Sequence, residues 1–121
     1  MESIRQIYKI GHGPSSSHTM GPQKASGLFA KLLPAGTARI RATLYGALAA
    51  TGRGHLTDQA ILSVLNPLFP TEIVWKPETV LPFHTNGMTF EALDVQGNVI
   101  ASKTYYSIGG GDIVEDGQER T

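Results

Sequence analysis

The residues best suited to chemistry lie in a hydroxyl-rich segment near the amino terminus. Residues 11–22, GHGPSSSHTMGP, contain three serines, one threonine and two histidines, and their only sizeable apolar side chain is Met20. A helical pattern follows, and the N-terminus of a helix presents free N–H groups and a partial positive charge that suit carboxylates and phosphates. The segment therefore predicts a cradle for a small anion, beside a histidine that titrates near neutral pH. The predicted catalytic residues are Ser15, Ser16, Ser17, His18 and Thr19.

Residue types alone leave two other interpretations of this segment open. In the first, one hydroxyl caps the helix and the others are solvated. Pro22 suits the first helical position, which would make Gly21 the cap, whereas a start near Ser16 would place Ser15 and His18 on one face. A Ser–His nucleophile pair is then conceivable, although the chain has no G-x-S-x-G elbow and no acidic residue stands out to orient the histidine.

A second cluster lies just before a strand that the pattern starts at Met88. His84, Thr85 and Asn86 belong to the segment PFHTNGM. Asn86 followed by Gly87 is a turn signal, and a turn alone would explain the pair. A histidine and an amide at the end of a strand can also orient a ligand, so His84 and Asn86 are predicted to bind substrate or effector.

Two glycine-rich segments complete the set. In YYSIGGGDI, the consecutive glycines predict close approach of the backbone to a ligand or another subunit, although no nucleotide-binding motif is present. In TGRGHLTD, Arg53 and His55 lie in a flexible connection, without the helical H-x-x-x-H spacing of a metal site. The three predicted close-approach residues are Gly109, Gly110 and Gly111.

The elements that must position these segments begin with a helix and a strand. Apolar residues at helical spacing follow residue 22, and Pro34 and Gly36 end the pattern. Residues 38–45 alternate as a half-buried strand, and the small residues 46–55 form a connection. The inward residues of the helix are Ala25, Leu28, Phe29, Leu32 and Leu33, and those of the strand are Ala38, Ile40, Ala42 and Leu44.

The rest of the chain predicts one more helix and an antiparallel hairpin. Thr57 and Asp58 can cap a helix, and short extended pieces surround Val74 and Val80. The inward residues of this helix are Ala60, Ile61, Val64, Leu65 and Leu68. MTFEALDV and VIASKTYYSI form the two strands of a hairpin, and GGGDIVEDGQERT follows as a loop and polar tail. The predicted fold class is α+β, with helices on one face of a mostly antiparallel sheet.

Composition narrows the class of protein. The 121 residues suit one domain, 1–121, and ten basic residues balance ten acidic ones, so nucleic acid and anionic membranes are not expected partners. No apolar run reaches the ~18 residues of a membrane helix, and the first ten residues lack the apolar core of a signal peptide. The chain has no cysteine, hence no disulfide and no thiolate ligand or nucleophile. We expect a cytoplasmic protein.

The four segments, in this order, resemble the β domain of the iron–sulfur L-serine dehydratases (L-serine deaminases). GPSSSHTMGP is similar to that family's most specific signature, and LYGALAATGRGHLTDQA, HTNGMTF and TYYSIGGGDIV are similar to its three other blocks. Together they span about residues 5–115. The stretch between NPLFP and PFHTNG is shorter than the family pattern.

The resemblance implies that L-serine loses water and that the resulting enamine hydrolyses to pyruvate and ammonia. In that family a four-iron, four-sulfur (4Fe-4S) cluster acts on the substrate hydroxyl, and its cysteine ligands lie in a separate α domain or subunit. This chain has none, so it is expected to bind no cluster and to be inactive alone. The expected partners are the cysteine-bearing α domain or subunit, L-serine and further copies of the chain as a homo-oligomer.

The same resemblance also implies an alternative. The family's β domain is similar to the allosteric substrate-binding domain of some D-3-phosphoglycerate dehydrogenases. A regulatory module that binds serine or a hydroxy acid, without a catalytic role, is therefore the second hypothesis. In the first hypothesis, residues 15–19 face the α domain and its substrate.

Overall fold

A computed structural model of the chain describes residues 19–52, 57–109 and 112–116. These residues form three helices and five strands. In chain order the elements are α1 (Met20–Ala30), β1 (Arg39–Tyr45), α2 (Gly46–Gly52), α3 (Thr57–Leu65), β2 (Thr71–Lys76), β3 (Gly87–Leu93), β4 (Val99–Gly109) and β5 (Asp112–Glu115).

The five strands form one sheet in the order β2-β1-β3-β4-β5. The pairs β1–β3, β3–β4 and β4–β5 are antiparallel, and β1–β2 is parallel. A parallel pair needs a long crossover, and α2 and α3 supply it between β1 and β2. The predicted fold class, α+β with helices on a mostly antiparallel sheet, is confirmed.

One face of the sheet packs against the helices and forms the core. Ile40, Ala42 and Leu44 of β1 are buried, as the strand pattern predicts, and Thr43 between them is buried as well. The ring of Phe29 in α1 stacks on Phe90 of β3 at a centroid distance of 5.5 Å, and Phe90 contacts Tyr105 of β4 at 5.8 Å. The sheet residues of this core include Ile40, Ala42, Leu44, Met88, Phe90, Ala92 and Tyr105.

The opposite face of the sheet is polar. Arg41 pairs with Glu72 of β2 (Nε–Oε2 3.2 Å) and with Glu91 of β3 (Nη1–Oε1 3.4 Å). The hydroxyls of Thr89 and Thr104 are 2.9 Å apart on neighbouring strands. Because these ion pairs are partly exposed, each contributes at most ~1 kcal/mol to stability.

The buried face of α1 differs from the predicted apolar stripe. Ala25 and Phe29 are fully buried, but Leu28 is 41% exposed. The helix ends at Ala30, before the predicted inward residue Leu32, which is 48% exposed. Small residues let the helix approach the sheet closely, and the hydroxyl of the buried Ser26 donates to the carbonyl of Pro22 at 2.8 Å. A polar residue that is satisfied within its own helix can therefore face the core, and an apolar stripe does not reveal it.

Three other predictions about elements are wrong. Residues 46–52 form helix α2 rather than a connection, because alanine and leucine are strong helix formers. Residues 112–115 form β5 rather than a tail, because β4 offers them an edge for pairing. Val80 lies outside any strand, whereas the extended piece around Val74 is β2, as predicted. In α3, Ile61 and Leu65 are buried as predicted. The predicted inward position of Leu68 is wrong, because the helix ends at Leu65 and Leu68 is exposed.

None of the helices within the described residues has both the length and the apolar character needed to cross a membrane.

Candidate functional site

The described parts of the predicted functional segments lie at one end of the sheet. β1 ends at Tyr45, β3 begins at Gly87 and β4 ends at Gly109. Because β3 is antiparallel to both neighbours, these three points lie at the same end, with Leu44 opposite Met88 and Gly87 opposite Tyr106. We call the residues 45–47, 84–87 and 107–109 the glycine end of the sheet.

Helix α1 also begins at the glycine end. It starts at Met20 with Thr19 as the N-cap, so neither a cap at Gly21 nor a start near Ser16 is correct. Pro22 lies in the first turn, where its missing N–H removes no bond within the helix. Gly21 packs against Ser107 of β4: a Cβ atom there would collide with Ser107 Oγ and lie 2.9 Å from Ser107 Cβ. The hydroxyl-rich segment thus leads into a helix start that contacts the end of β4.

Thr19 is the one predicted catalytic residue that the structure describes. Its side chain makes no capping hydrogen bond, although its carbonyl accepts from the N–H of Gln23 at 2.9 Å. Capping of α1 by the Thr19 hydroxyl therefore does not explain why a threonine stands at this position. Ser15, Ser16, Ser17 and His18 lie outside the described residues, and their roles stay predictions.

Asn86 links the start of β3 to the end of β4. Its Nδ2 donates to the carbonyl of Ser107 (3.3 Å), and its own carbonyl accepts from the N–H of Ser107 (3.0 Å). Its Oδ1 is buried and accepts no hydrogen bond from the described residues. A buried acceptor without a donor costs ~1–3 kcal/mol, so this atom is suited to a donor supplied by a ligand or by another part of the protein.

His84 is held in one tautomer by the same turn. Its Nδ1 accepts the N–H of Asn86 at 3.0 Å, so Nδ1 carries no proton and the neutral ring keeps its proton on Nε2. The ring is half-buried. His84 can therefore present an N–H donor while its other nitrogen orders the turn.

Thr85 and Gly46 join the turn before β3 to the start of α2. Thr85 Oγ1 accepts the N–H of Ala47 at 2.9 Å. Gly46 has φ +54°, and a Cβ atom there would lie 2.5 Å from the carbonyl oxygen of Thr85. Backbones approach so closely here that only glycine fits.

Sequence reasoning missed two of the residues that build this end, Ser107 and Gly46. Ser107 is fully buried, and it precedes the predicted glycine run by two positions. Its position on the inward alternation of β4, with Tyr105, could have indicated a hydroxyl facing the helices. Of the predicted glycines, Gly109 ends β4, whereas Gly110, Gly111, Arg53 and His55 lie outside the described residues.

A cavity of about 630 Å³ opens on the polar face of the sheet. The rings of Phe83 and Tyr106 meet in it at a centroid distance of 4.8 Å. Its other lining residues are Tyr45, Leu81, Pro82, Thr89, Thr104 and Asp116. Among the described residues, no three His, Asp or Glu side chains lie close enough together to hold a metal ion.

Comparison with known proteins gives one family. The family model described as "Serine dehydratase beta chain" matches residues 3–73 and 65–118. The chain is 34% identical to the L-serine dehydratase of Streptomyces coelicolor over 94% of its own length and 34% of that protein. It is 36% identical to the L-serine dehydratase of Mycobacterium bovis (94% and 33%) and 34% identical to L-serine dehydratase 1 of Escherichia coli (96% and 34%). The chain thus spans about a third of the length of the curated relatives it matches.

The matches are interrupted in the middle of the chain. The two matched parts of the family model overlap at residues 65–73, and the Streptomyces alignment needs 153 positions for 94% of 121 residues. The alignment therefore contains about 40 positions of the relative that have no counterpart in the chain. This agrees with the short stretch between NPLFP and PFHTNG.

Proposed function

The chain belongs to the serine dehydratase beta chain family, and we propose that it is the β domain or subunit of an L-serine dehydratase. The observation that carries the proposal is the match of the family model to nearly the whole chain, together with relatives named L-serine dehydratase. In the proposed reaction L-serine loses its α-proton and hydroxyl as water. The resulting enamine becomes an imine, and water hydrolyses the imine to pyruvate and ammonia.

The remaining two thirds of the enzyme would come from an α domain or subunit. An iron–sulfur cluster is held mainly by cysteine thiolates, and the chain has no cysteine. The residues of this chain therefore do not fit a 4Fe-4S cluster, and we assign no step of the reaction to one. In this proposal the cluster belongs to the cysteine-bearing partner, and residues 1–121 form one domain.

The role proposed for this chain is to bind and orient the substrate. Residues 15–19 would hold the carboxylate of L-serine through hydroxyls and N–H groups at the start of α1. The position of Thr19 at the glycine end supports this role. Asn86 Oδ1 would accept from the substrate ammonium, and His84 would donate from Nε2. Gly109, Gly110 and Gly111 would let the backbone approach closely.

The second candidate function is a regulatory module that binds a small molecule without a catalytic role. The cavity between Phe83, Tyr106 and Asp116 favours it, because it lies on the opposite face of the sheet from Gly21 and Ser107. Aromatic rings and a carboxylate suit the ammonium group of an amino acid.

The test is a chimeric enzyme in which this chain replaces the matched third of Escherichia coli L-serine dehydratase 1. We expect the chimera, reconstituted anaerobically with iron and sulfide, to form pyruvate from L-serine, and the chain alone to form none. Ser17→Ala and His18→Ala should each lower turnover about tenfold or more, because charge-assisted hydrogen bonds contribute ~1.5–3 kcal/mol. Ser63→Ala is the matched control, since Ser63 is exposed on α3 and its hydroxyl donates to the carbonyl of Ala60 within the same helix.

Two results would count against the proposal. A chimera that holds its cluster but forms no pyruvate would favour the regulatory module. Normal turnover in Ser17→Ala and His18→Ala would exclude both side chains from substrate binding.

A further inference from the structure

The contact between Gly21 and Ser107 joins two segments of the proposed site. Gly21 lies two residues after Thr19, and Ser107 lies two residues before Gly109. Both are buried, and a Cβ atom on Gly21 would collide with Ser107 Oγ and lie 2.9 Å from Ser107 Cβ. The next neighbour, Ile113 Cγ2, would lie 3.5 Å away, which is an ordinary van der Waals distance. Ser107 is therefore the group that limits how closely α1 approaches the sheet at this point.

Neither side of this contact can move away easily. The N–H and carbonyl of Ser107 are both bonded to Asn86, at 3.0 and 3.3 Å. Further along α1, Phe29 is fully buried and stacks on Phe90. A shift of the helix would break core packing, and a shift of Ser107 would break its bonds to Asn86.

Glycine at position 21 is not required by the helix itself. Gly27 lies six positions further along α1, and no neighbouring atom lies within 4 Å of the place that a Cβ atom would occupy there. A side chain at position 27 would therefore meet open space. The requirement for a missing side chain in α1 is thus specific to the point where the helix meets Ser107.

We propose that Gly21 and Ser107 are positioning residues, which fix the start of α1 against Asn86 and so set the position of Thr19, the predicted site residue that directly precedes α1. The inference rests on the proposed function, because the property it sets is the binding of L-serine. Neither residue contacts the substrate in this proposal. Asn86 has two roles in this proposal, since it is hydrogen-bonded to Ser107 and its Oδ1 would accept from the substrate.

The experiment uses the chimeric enzyme with Gly21→Ala, Ser107→Gly, both together, and Gly27→Ala as the matched control. Gly21→Ala should raise KM for L-serine and lower kcat/KM roughly 10- to 100-fold, because small displacements of binding groups have effects of that size. Ser107→Gly removes both colliding atoms, so the double variant should recover most of the loss. Gly27→Ala should leave both constants unchanged.

The proposal is overturned if Gly21→Ala keeps the original KM, or if the double variant is no better than Gly21→Ala. A purely structural defect would lower kcat through the fraction of active enzyme and leave KM alone. Failure of the proposed function is distinguishable, because the unsubstituted chimera would then form no pyruvate. In that case the urea unfolding midpoints of the same four variants decide. If Gly21→Ala lowers the midpoint and the double variant with Ser107→Gly does not raise it again, the contact between the two residues is refuted.

Discussion

Substitution of Gly46 by alanine should destabilise the chain more than the same change at Gly21 or Gly27, because the atom that the new Cβ meets at Gly46 belongs to the backbone. Gly46 has φ +54°, a left-handed conformation that costs an L-residue roughly 1–2 kcal/mol. The new Cβ would also lie 2.5 Å from the carbonyl oxygen and 2.7 Å from Oγ1 of Thr85, and such overpacking costs about 1–3 kcal/mol. The two effects together lower the free energy of unfolding by about 2–5 kcal/mol.

Gly27→Ala is the matched control for this change. Gly27 lies inside α1 with no positive φ and open space around it, so alanine there gains up to ~1 kcal/mol of helix propensity. The same chemical change is thus expected to have opposite signs at the two positions. The free energy of unfolding of small domains is about 5–15 kcal/mol, so the loss in Gly46→Ala should consume a large part of it.

Urea unfolding followed by circular dichroism measures both variants against the original chain. The colliding atom at Gly46 is a backbone oxygen, so Thr85→Gly should not rescue Gly46→Ala, in contrast to the pair Gly21 and Ser107. A Gly46→Ala variant within about 0.5 kcal/mol of the original chain would refute the close approach of α2 to the 84–87 turn.

Two further predictions concern pH. Burial, and secondarily the charge of Glu115, raises the pKa of Tyr105 to about 12. The free energy of unfolding should therefore fall between pH 10 and 12, because Tyr105 ionises in the unfolded chain and not in the folded one. By pH 12 the loss relative to Tyr105→Phe, measured by urea unfolding, should be on the order of 2 kcal/mol, and parallel pH curves for the two proteins would contradict the prediction. Hydrogen bonds from the N–H of Asn98, and then from that of Gln96, hold the pKa of the Asp94 carboxyl below 3.8. The ionised carboxylate therefore stabilises the turn between β3 and β4 above that pH, and this stabilisation is lost as the pH falls through the lowered pKa. The amide chemical shifts of Asn98 and Gln96 should titrate below pH 3.8 in the original chain and should not titrate there in Asp94→Asn.

The sheet was predictable because its strands have one buried and one polar face. Alternation identified β1 and both strands of the hairpin, and Met88, Phe90 and Ala92, which alternate along β3, are all buried. Leu93 at the end of β3 is buried as well, outside the alternation. Alternation fails for β5, since a four-residue edge strand depends on β4 for its pairing. The helical spacing of apolar residues fails in the same way for α2, because a segment of seven residues that begins and ends with glycine shows little periodicity.

The site was predictable in part, for a different reason. His84 and Asn86 are short-range features of a turn, and their mutual hydrogen bond follows from neighbouring positions in the sequence. The contacts of Gly21 with Ser107 and of Gly46 with Thr85 join residues far apart in the sequence. No local pattern specifies which serine faces which glycine, so these contacts emerge only from the register of the sheet.

The contact between α1 and β4 has a consequence for biosynthesis. Gly21 is made well before Ser107, so a nascent chain leaving the ribosome presents α1 long before its docking partner exists. Long-range contacts form slowly because they close large loops. The glycine end should therefore be assembled last, after β3 and β4 have paired, and until then the face of α1 that carries Phe29 remains without its sheet. Chaperones that recognise apolar helix faces could bind α1 during this interval.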